Sequence, residues 1–234
     1  MHLFYQAEID TDHIVLHEEE SAHAIRVLRL KQGDTLHLTD GKGNEAICRI
    51  DKADTRKCEL QVIERITHPS LRNYKLHIAM APTKNRGRIE WFVEKAVECG
   101  INEISFVSTE KSERSKVNLE RLQKIAVSAM KQSKQWYLPK IHQLTTLDEF
   151  VKNYNSGLRL IAWCIHAENT KLLSHAIPVN AEDVTLLVGP EGDFTANEVE
   201  LAMRNGFVPV SLGKSILRSE TAALYGCMAV KTLL

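Results

Sequence analysis

Apolar residues recur with two periods along the chain, and the change of period marks a change of architecture. Over residues 1–67 the period is two. Apolar and polar positions alternate in Thr35–Thr39 and in Ala46–Ile50, Asp40–Asn44 lies between them as a hairpin turn, and Cys58–Ile63 continues as a third strand. One helix, around Glu19–Arg29, interrupts and sets His23, Arg26 and Arg29 near one face, where they meet phosphate or simply face water. The polar, proline-containing segment His68–Asn73 reads as a linker.

Beyond it, nearly continuous apolar runs alternate with 3.6-period segments. Tyr74–Ala81, Glu103–Ser108, Leu158–Trp163, Val184–Val188 and Phe207–Ser211 read as strands. Arg88–Cys99 is a helix closed by Gly100, Asn118 caps another, and Thr195–Glu198 is a capping box for a helix ending near Gly206. Ser219 reads as the N-cap of a final helix that is apolar nearly all round. Such a helix must bury one side on its own core, which leaves a second subunit as partner for the other. Alternating β and α elements predict an α/β fold with a parallel sheet, in domains 1–68 and 73–234.

Composition fits a globular protein of 234 residues, with 44% hydrophobic and 26% charged positions and no run long enough to cross a membrane. Met1–Asp10 lacks the pattern of a cleavable signal. Five cysteines without a C-x-x-C predict free thiols in a reducing cytoplasm. The formal net charge of zero conceals an uneven distribution. Residues 1–72 carry 10 Lys/Arg against 13 Asp/Glu, residues 73–140 carry 13 against 7, and residues 141–234 carry 7 against 10. The basic middle third is an electrostatic footprint for a polyanion, although a solvated helical face produces the same excess.

Two local motifs fail on context. Gly41–Ala46 matches a nucleotide-binding G-x-G-x-x-G/A, but a period-two strand follows where that motif needs a helix. His17 and His23 are six residues apart where H-E-x-x-H needs four, so no metal is expected. Two later loops are more informative. LLVGPEGDFTANEVE and SLGKSILRSETAA each run from a strand through glycine into a helix, and glycine lets a ligand lie against backbone. Lys84, Arg86, Arg88, Lys111, Arg114 and Lys116 follow strands of the predicted sheet, on the rim where open α/β sheets place ligands. Lys131–Pro139 adds cations and aromatics in a loop, as a base-stacking platform or as core.

Taken in order, HAIRVLRLKQGD, EWFVEKAVECG, Ser112–Ser115, LLVGPEGDFTANEVE and SLGKSILRSETAA resemble the RsmE family of 16S ribosomal RNA uridine-N3 methyltransferases, of the SPOUT class. The resemblance covers nearly the whole chain. It implies a PUA-like β-barrel followed by a SPOUT domain with a C-terminal trefoil knot, a homodimer, S-adenosyl-L-methionine as cofactor, and 16S rRNA within the 30S subunit as substrate. By motif position it implies cofactor contacts from Leu187, Gly189, Gly192, Leu212, Gly213, Ile216, Leu217 and Thr221, with Glu191 beside them. Arg218 is assigned to the target nucleotide, or else pairs with Glu191 or Glu220. Either carboxylate is a candidate to assist loss of the N3 proton. Arg26, Arg29, Lys84, Arg86 and Arg114 are the candidate RNA contacts. The chain departs from the family in carrying Asp193 where GPEGG is usual, and Lys131–Gln135 where an arginine is common. Rival readings are a non-catalytic RNA-binding assembly factor and a SPOUT enzyme acting on a tRNA ribose.

Overall fold

The structure is a computed structural model that describes residues 2–70, 73–113, 116–164 and 170–234. The chain packs as two compact units, Met1–Leu71 with Val127–Leu138, and Arg72–Ala126 with Pro139–Leu234.

In the first unit, β1 (Leu3–Tyr5), β2 (His13–Val15), α1 (Glu18–Ala22), β3 (Thr35–Thr39), β4 (Asn44–Lys52) and β5 (Glu59–Thr67) follow in order. The sheet order is β1-β3-β4-β5-β2. Antiparallel β3 and β4 form the expected hairpin, which confirms that Gly41–Ala46 is no nucleotide loop. Alternation buries Leu36, Leu38, Ala46, Cys48 and Ile50 on one side, against Phe4 and Leu60.

The single helix predicted over Glu19–Arg29 is not continuous. After α1 the backbone widens into a π-helical turn, His23–Val27, closed by a Leu28 N–H to His23 carbonyl bond of 3.0 Å. Arg29 then lies outside it with φ 57°, so it does not continue the face of His23 and Arg26.

The aromatic segment at 133–138 is neither free platform nor core. Trp136 stacks on His68 with ring centroids 4.0 Å apart, its carbonyl accepts the Gly43 N–H at 2.9 Å, and the Tyr137 hydroxyl donates to the His68 carbonyl at 2.7 Å. Lys131, which the sequence offered to nucleic acid, pairs with Glu20.

The second unit contains β6 (Lys75–Met80), α2 (Arg86–Cys99), β7 (Glu103–Ser108), the first turns of α3 (Leu119–Gln132), β8 (Lys140–Thr146), α4 (Leu147–Asn153), β9 (Leu158–Ala162), β10 (Lys171–Leu172), α5 (Leu173–Ala176), β11 (Asp183–Val188), α6 (Ala196–Arg204), β12 (Val208–Ser211) and α7 (Ser219–Leu233). Seven parallel strands run in the order β10-β12-β9-β11-β6-β7-β8. Gly100 closes α2 at φ 81°, and Thr195 with Glu198 forms the predicted capping box of α6. Ser219 is the first residue of α7, whereas its N-cap is Arg218, whose side chain makes no capping bond.

Helices cover both faces of this sheet, so its central strands are buried from their second or third residue onward. Along β11 the pleat sends Leu187 into a cluster with Ile161, Phe150, Phe194 and Phe207, between the sheet and α4 and α6. Leu186 points to the opposite face, where α7 crosses at Gly226. A Cβ at Gly226 would stand 2.4 Å from Leu186 Cδ2 and 3.5 Å from Ile78 Cδ1, and Leu186 and Ile78 are fully buried.

Gly226→Ala is therefore expected to destabilise the protein. Overpacking costs about 1–3 kcal/mol, against at most about 1 kcal/mol gained in helix propensity. Urea unfolding followed by circular dichroism should show a lower midpoint; an equal or higher one contradicts this packing.

Candidate active site

Three neighbouring parallel strands, β12, β9 and β11, end at the same edge, and the segments that leave them enclose a cavity of about 310 Å³. Its wall runs from Ala162 through Cys164, from Val188 through Glu191 with Asp193, and from Ser211 through Ser219. This is the carboxyl edge, where parallel α/β sheets bind ligands. Within the strands the apolar residues face the two helical layers, so only the last residues, Ala162, Val188 and Ser211, reach the cavity, and the rest of its wall comes from the loops together with Arg88 of α2 and Ser219 and Ala222 of α7.

Of the residues implicated by sequence, Gly189, Glu191, Leu212, Gly213, Ile216, Leu217 and Arg218 line this cavity. Leu187 does not, because the pleat commits it to the core. Gly192 is turned to the 109–113 segment, where its carbonyl accepts from Lys111 Nζ at 2.7 Å. Thr221 is exposed on the first turn of α7, and Ser219 and Ala222 line the cavity in its place. Gly213 has φ +125°, a conformation L side chains rarely adopt, and a Cβ there would meet nothing within 4 Å. Ile216 is 87% exposed, an apolar side chain held out at the mouth. Trp163 also lines the cavity, and its indole nitrogen is buried with no partner among the described residues.

The departure at Asp193 is structurally accommodated. Its backbone is left-handed at φ 58°, the conformation a glycine would take. One carboxylate oxygen accepts the Phe194 N–H at 2.8 Å and the other the Cys164 N–H at 3.0 Å. Short polar side chains tolerate this region through such local bonds. The Asp193 carboxylate thus ties the end of β9 to the loop after β11. Burial first, and this carboxylate second, raise the Cys164 thiol above its ordinary pKa, which keeps it protonated at neutral pH.

The acids of the site pair with Arg88, which the sequence identified only as a rim cation. Its Nε lies 3.5 Å from Glu220 Oε1 and its Nη1 4.0 Å from Glu191 Oε1. Glu191 Oε1 also accepts the Lys84 backbone N–H at 3.3 Å. Glu220 is 6% exposed and its other oxygen has no partner among the described residues. Arg218 is exposed at the cavity and forms no ion pair among the described residues, so the alternative of a pair with Glu191 or Glu220 is not what the structure adopts.

The candidate RNA contacts come from both units. Arg26 is exposed on the π-helical turn, 3.4 Å from the Thr55 hydroxyl, and Arg29 is exposed beyond it. Lys84 pairs with Glu113 at 2.9 Å, which raises its pKa, while Arg86 is exposed at the start of α2. That pair is exposed to solvent and screened by it, so it does not withhold Lys84 from a phosphate. Arg114 lies outside the described residues.

This geometry has close relatives. An RNA methyltransferase domain model matches residues 70–231, and an RNA methyltransferase PUA domain model matches residues 16–63. Ribosomal RNA small subunit methyltransferase E of Rickettsia conorii is 31% identical over 222 residues, covering 94% of this chain and 90% of that protein. The chain belongs to this methyltransferase family. A probable rRNA-methyltransferase from Porphyromonas gingivalis superposes with a TM-score of 0.92 at 40% identity, over 100% of this chain and 98% of the other. A ribosomal RNA small subunit methyltransferase E from Neisseria gonorrhoeae, bound to S-adenosyl methionine, gives 0.89 at 26% identity over the same shares. The fold is accordingly a SPOUT-type α/β domain preceded by a PUA-like β domain.

At this cavity, Asp193→Ala is expected to lower stability by about 1–3 kcal/mol, from two unpaired amides and a strained left-handed alanine. Asp193→Asn, which keeps both an acceptor and the tolerance for positive φ, should lose less than half as much. Equal losses in denaturant titrations would contradict the tie between β9 and the loop.

Proposed function

We propose that this chain transfers the methyl group of S-adenosyl-L-methionine to N3 of one uridine in 16S rRNA of the 30S subunit. The observation that carries the reading is the cavity at the ends of β12, β9 and β11, in a chain of this family. It fits the cofactor on two counts. The backbone at Gly189 and Gly213 lines it, with open space where a Gly213 Cβ would stand, and Trp163, which also lines it, carries a buried indole N–H without a partner among the described residues. When bound, the cofactor supplies an electrophilic methyl carbon on a sulfonium, so neither a metal nor a covalent intermediate is required.

In this reading Leu212, Ile216 and Leu217 form the apolar wall, and Leu187, Gly192 and Thr221 support it from outside the lining. Arg218, exposed and without an ion pair among the described residues, holds the target nucleotide by phosphate or base. Glu191, the glutamate that lines the cavity, takes the N3 proton as the methyl group is accepted. Holding the nitrogen in line with the methyl carbon accounts for up to roughly 7–11 kcal/mol of barrier lowering. Arg26, Arg29, Lys84, Arg86 and Arg114 supply phosphate contacts. Residues 1–68 serve RNA binding and residues 73–234 transfer.

A homodimer, a trefoil-knotted C-terminal segment and a cytoplasmic location belong to the same reading. They are supported by the family, by Tyr225 and Met228 exposed on α7, and by five cysteines that form no disulfide. No helix among the described residues is long and apolar enough to cross a membrane.

Incubation with labelled S-adenosyl-L-methionine and undermethylated 30S subunits should label one uridine at N3. Label confined to tRNA overturns the substrate, and no cofactor binding by calorimetry overturns the enzyme. Arg218→Ala should lose transfer by about 10²-fold while binding the cofactor nearly as well; abolished cofactor binding would place Arg218 in the wrong role. RNA affinity should fall with salt at a log–log slope of about −0.7 to −0.9 per phosphate neutralised, and charge reversal at Lys84 and Arg86 should flatten it. An unchanged slope moves the RNA surface elsewhere.

A further inference from the structure

At the other end of the sheet, toward the amino ends of β6, β7 and β8, three metal-ligating side chains converge. His77, Glu103 and His142 each place one ligand atom within 4.8 Å of the other two. His77 is level with Thr185 of β11, three residues before Val188 reaches the cavity, about 10 Å along the strand. We infer that His77, Glu103 and His142 form a binding site for one divalent ion of the zinc class, separate from the methyl-transfer cavity.

Register explains the convergence. His77 and Glu103 are direct partners across β6 and β7, so their side chains share a face. The pairing of β7 with β8 shifts between Ile104 and Phe106, and His142 lies at that irregularity. A bulge of this kind re-aims side chains. Two imidazoles and one carboxylate are a familiar zinc donor set, with room for a water or a fourth ligand.

Supporting groups surround the three ligands. The Ser105 hydroxyl is 2.8 Å from His77 Nε2, fixing that ring, and the Tyr154 hydroxyl is 3.5 Å from His142 Nε2. Phe150 and Tyr154 pack on His77 with ring centroids 5.6 and 4.6 Å away, which seals one side from water. Outer contacts of this type orient ligands and raise affinity.

Without an ion, His142 Nε2 and Glu103 Oε2 are hydrogen-bonded at 2.7 Å. Two metal bonds of about 2.1 Å at a tetrahedral angle need ligand atoms about 3.4 Å apart. A movement of under about 1 Å by the partly exposed Glu103 carboxylate meets that requirement for the His142–Glu103 pair, and the His77 ligand atom, within 4.8 Å of both, closes by at most about 1.4 Å. For the ion to bind His142 Nε2, the proton in this bond moves to Nδ1 of a neutral ring or is released to solvent from a protonated one. The bound ion would cross-link β6, β7 and β8 where the sheet carries no cofactor loop.

The test uses the full chain, stripped with chelator and titrated with Zn²⁺ by calorimetry, with thermal melts in parallel. One ion per chain is expected, with a rise in melting temperature. In Glu103→Gln and His142→Gln, both at partly exposed positions, affinity should fall at least about ten-fold and the thermal rise should vanish. Melts without metal check that these variants fold. Three results would overturn the site: no stoichiometric binding, binding unchanged in both variants, or binding lost in Cys164→Ser and retained in His142→Gln. None of these readouts depends on methyl transfer.

Discussion

The pleat of β11 is the constraint on which the rest depends. A parallel strand covered by helices on both faces turns most of its side chains into the two helical layers. Leu186 is committed to α7 and Leu187 to α4 and α6, and Gly226 brings α7 close enough to make the first contact. The strand becomes chemically available only at Val188, where it runs out of sheet. The cavity therefore consists mostly of loops, and their conformations must be set by something other than ladder hydrogen bonds. At Gly213 a positive φ sets it. At Asp193 a carboxylate does, by holding two amides from different segments.

Charge at the site follows a similar division of labour. Glu220 is nearly buried, and burying an isolated carboxylate costs several kcal/mol. Arg88, entering from α2, stands near both Glu220 and Glu191 and relieves that cost. The consequence lies at Arg218. Were the acids to take Arg218 as their partner, the loop would close over the cavity mouth with its charge neutralised. With Arg88 in that position, Arg218 faces solvent beside the cavity as a net positive charge. An exposed cation of this kind attracts a polyanion most at low salt.

What was legible in the sequence was whatever depends on near neighbours. Thr195 and Glu198 form a capping box three residues apart, Gly100 terminates α2, and the β3–β4 hairpin follows from alternation around a glycine turn. The two loops at the cavity were found because each combines a strand, glycine and a helix in one short run. Long-range relations were illegible. Nothing local to Arg88 indicates that Glu191 and Glu220 will meet it, and nothing local to Leu187 indicates which face of β11 it will take. The strand Lys140–Thr146 and helix Leu147–Asn153 escaped because the strand is polar at most positions, at the edge of the sheet. The π-helical turn at His23–Val27 escaped because its composition reads as ordinary helix.

The histidine and glutamate cluster is the extreme case of that rule. Its members come from three strands, at positions 77, 103 and 142, and metal motifs read from sequence require ligands on one helix or in one loop. The spacing test that rejected His17 and His23 was sound for a single segment and blind to a sheet. In a parallel sheet, side chains on adjacent strands stand about 4.8 Å apart across the ladder, so any row of three polar residues on one face is a potential chelate. The hydrophobic cover of α4 then decides its character. A polar row open to water is simply hydrated, whereas one packed under Phe150 and Tyr154 must satisfy its donors internally or with a ligand. Opposite edges of one sheet thus face different demands: the carboxyl edge must stay open for exchangeable ligands, and the amino edge must be closed.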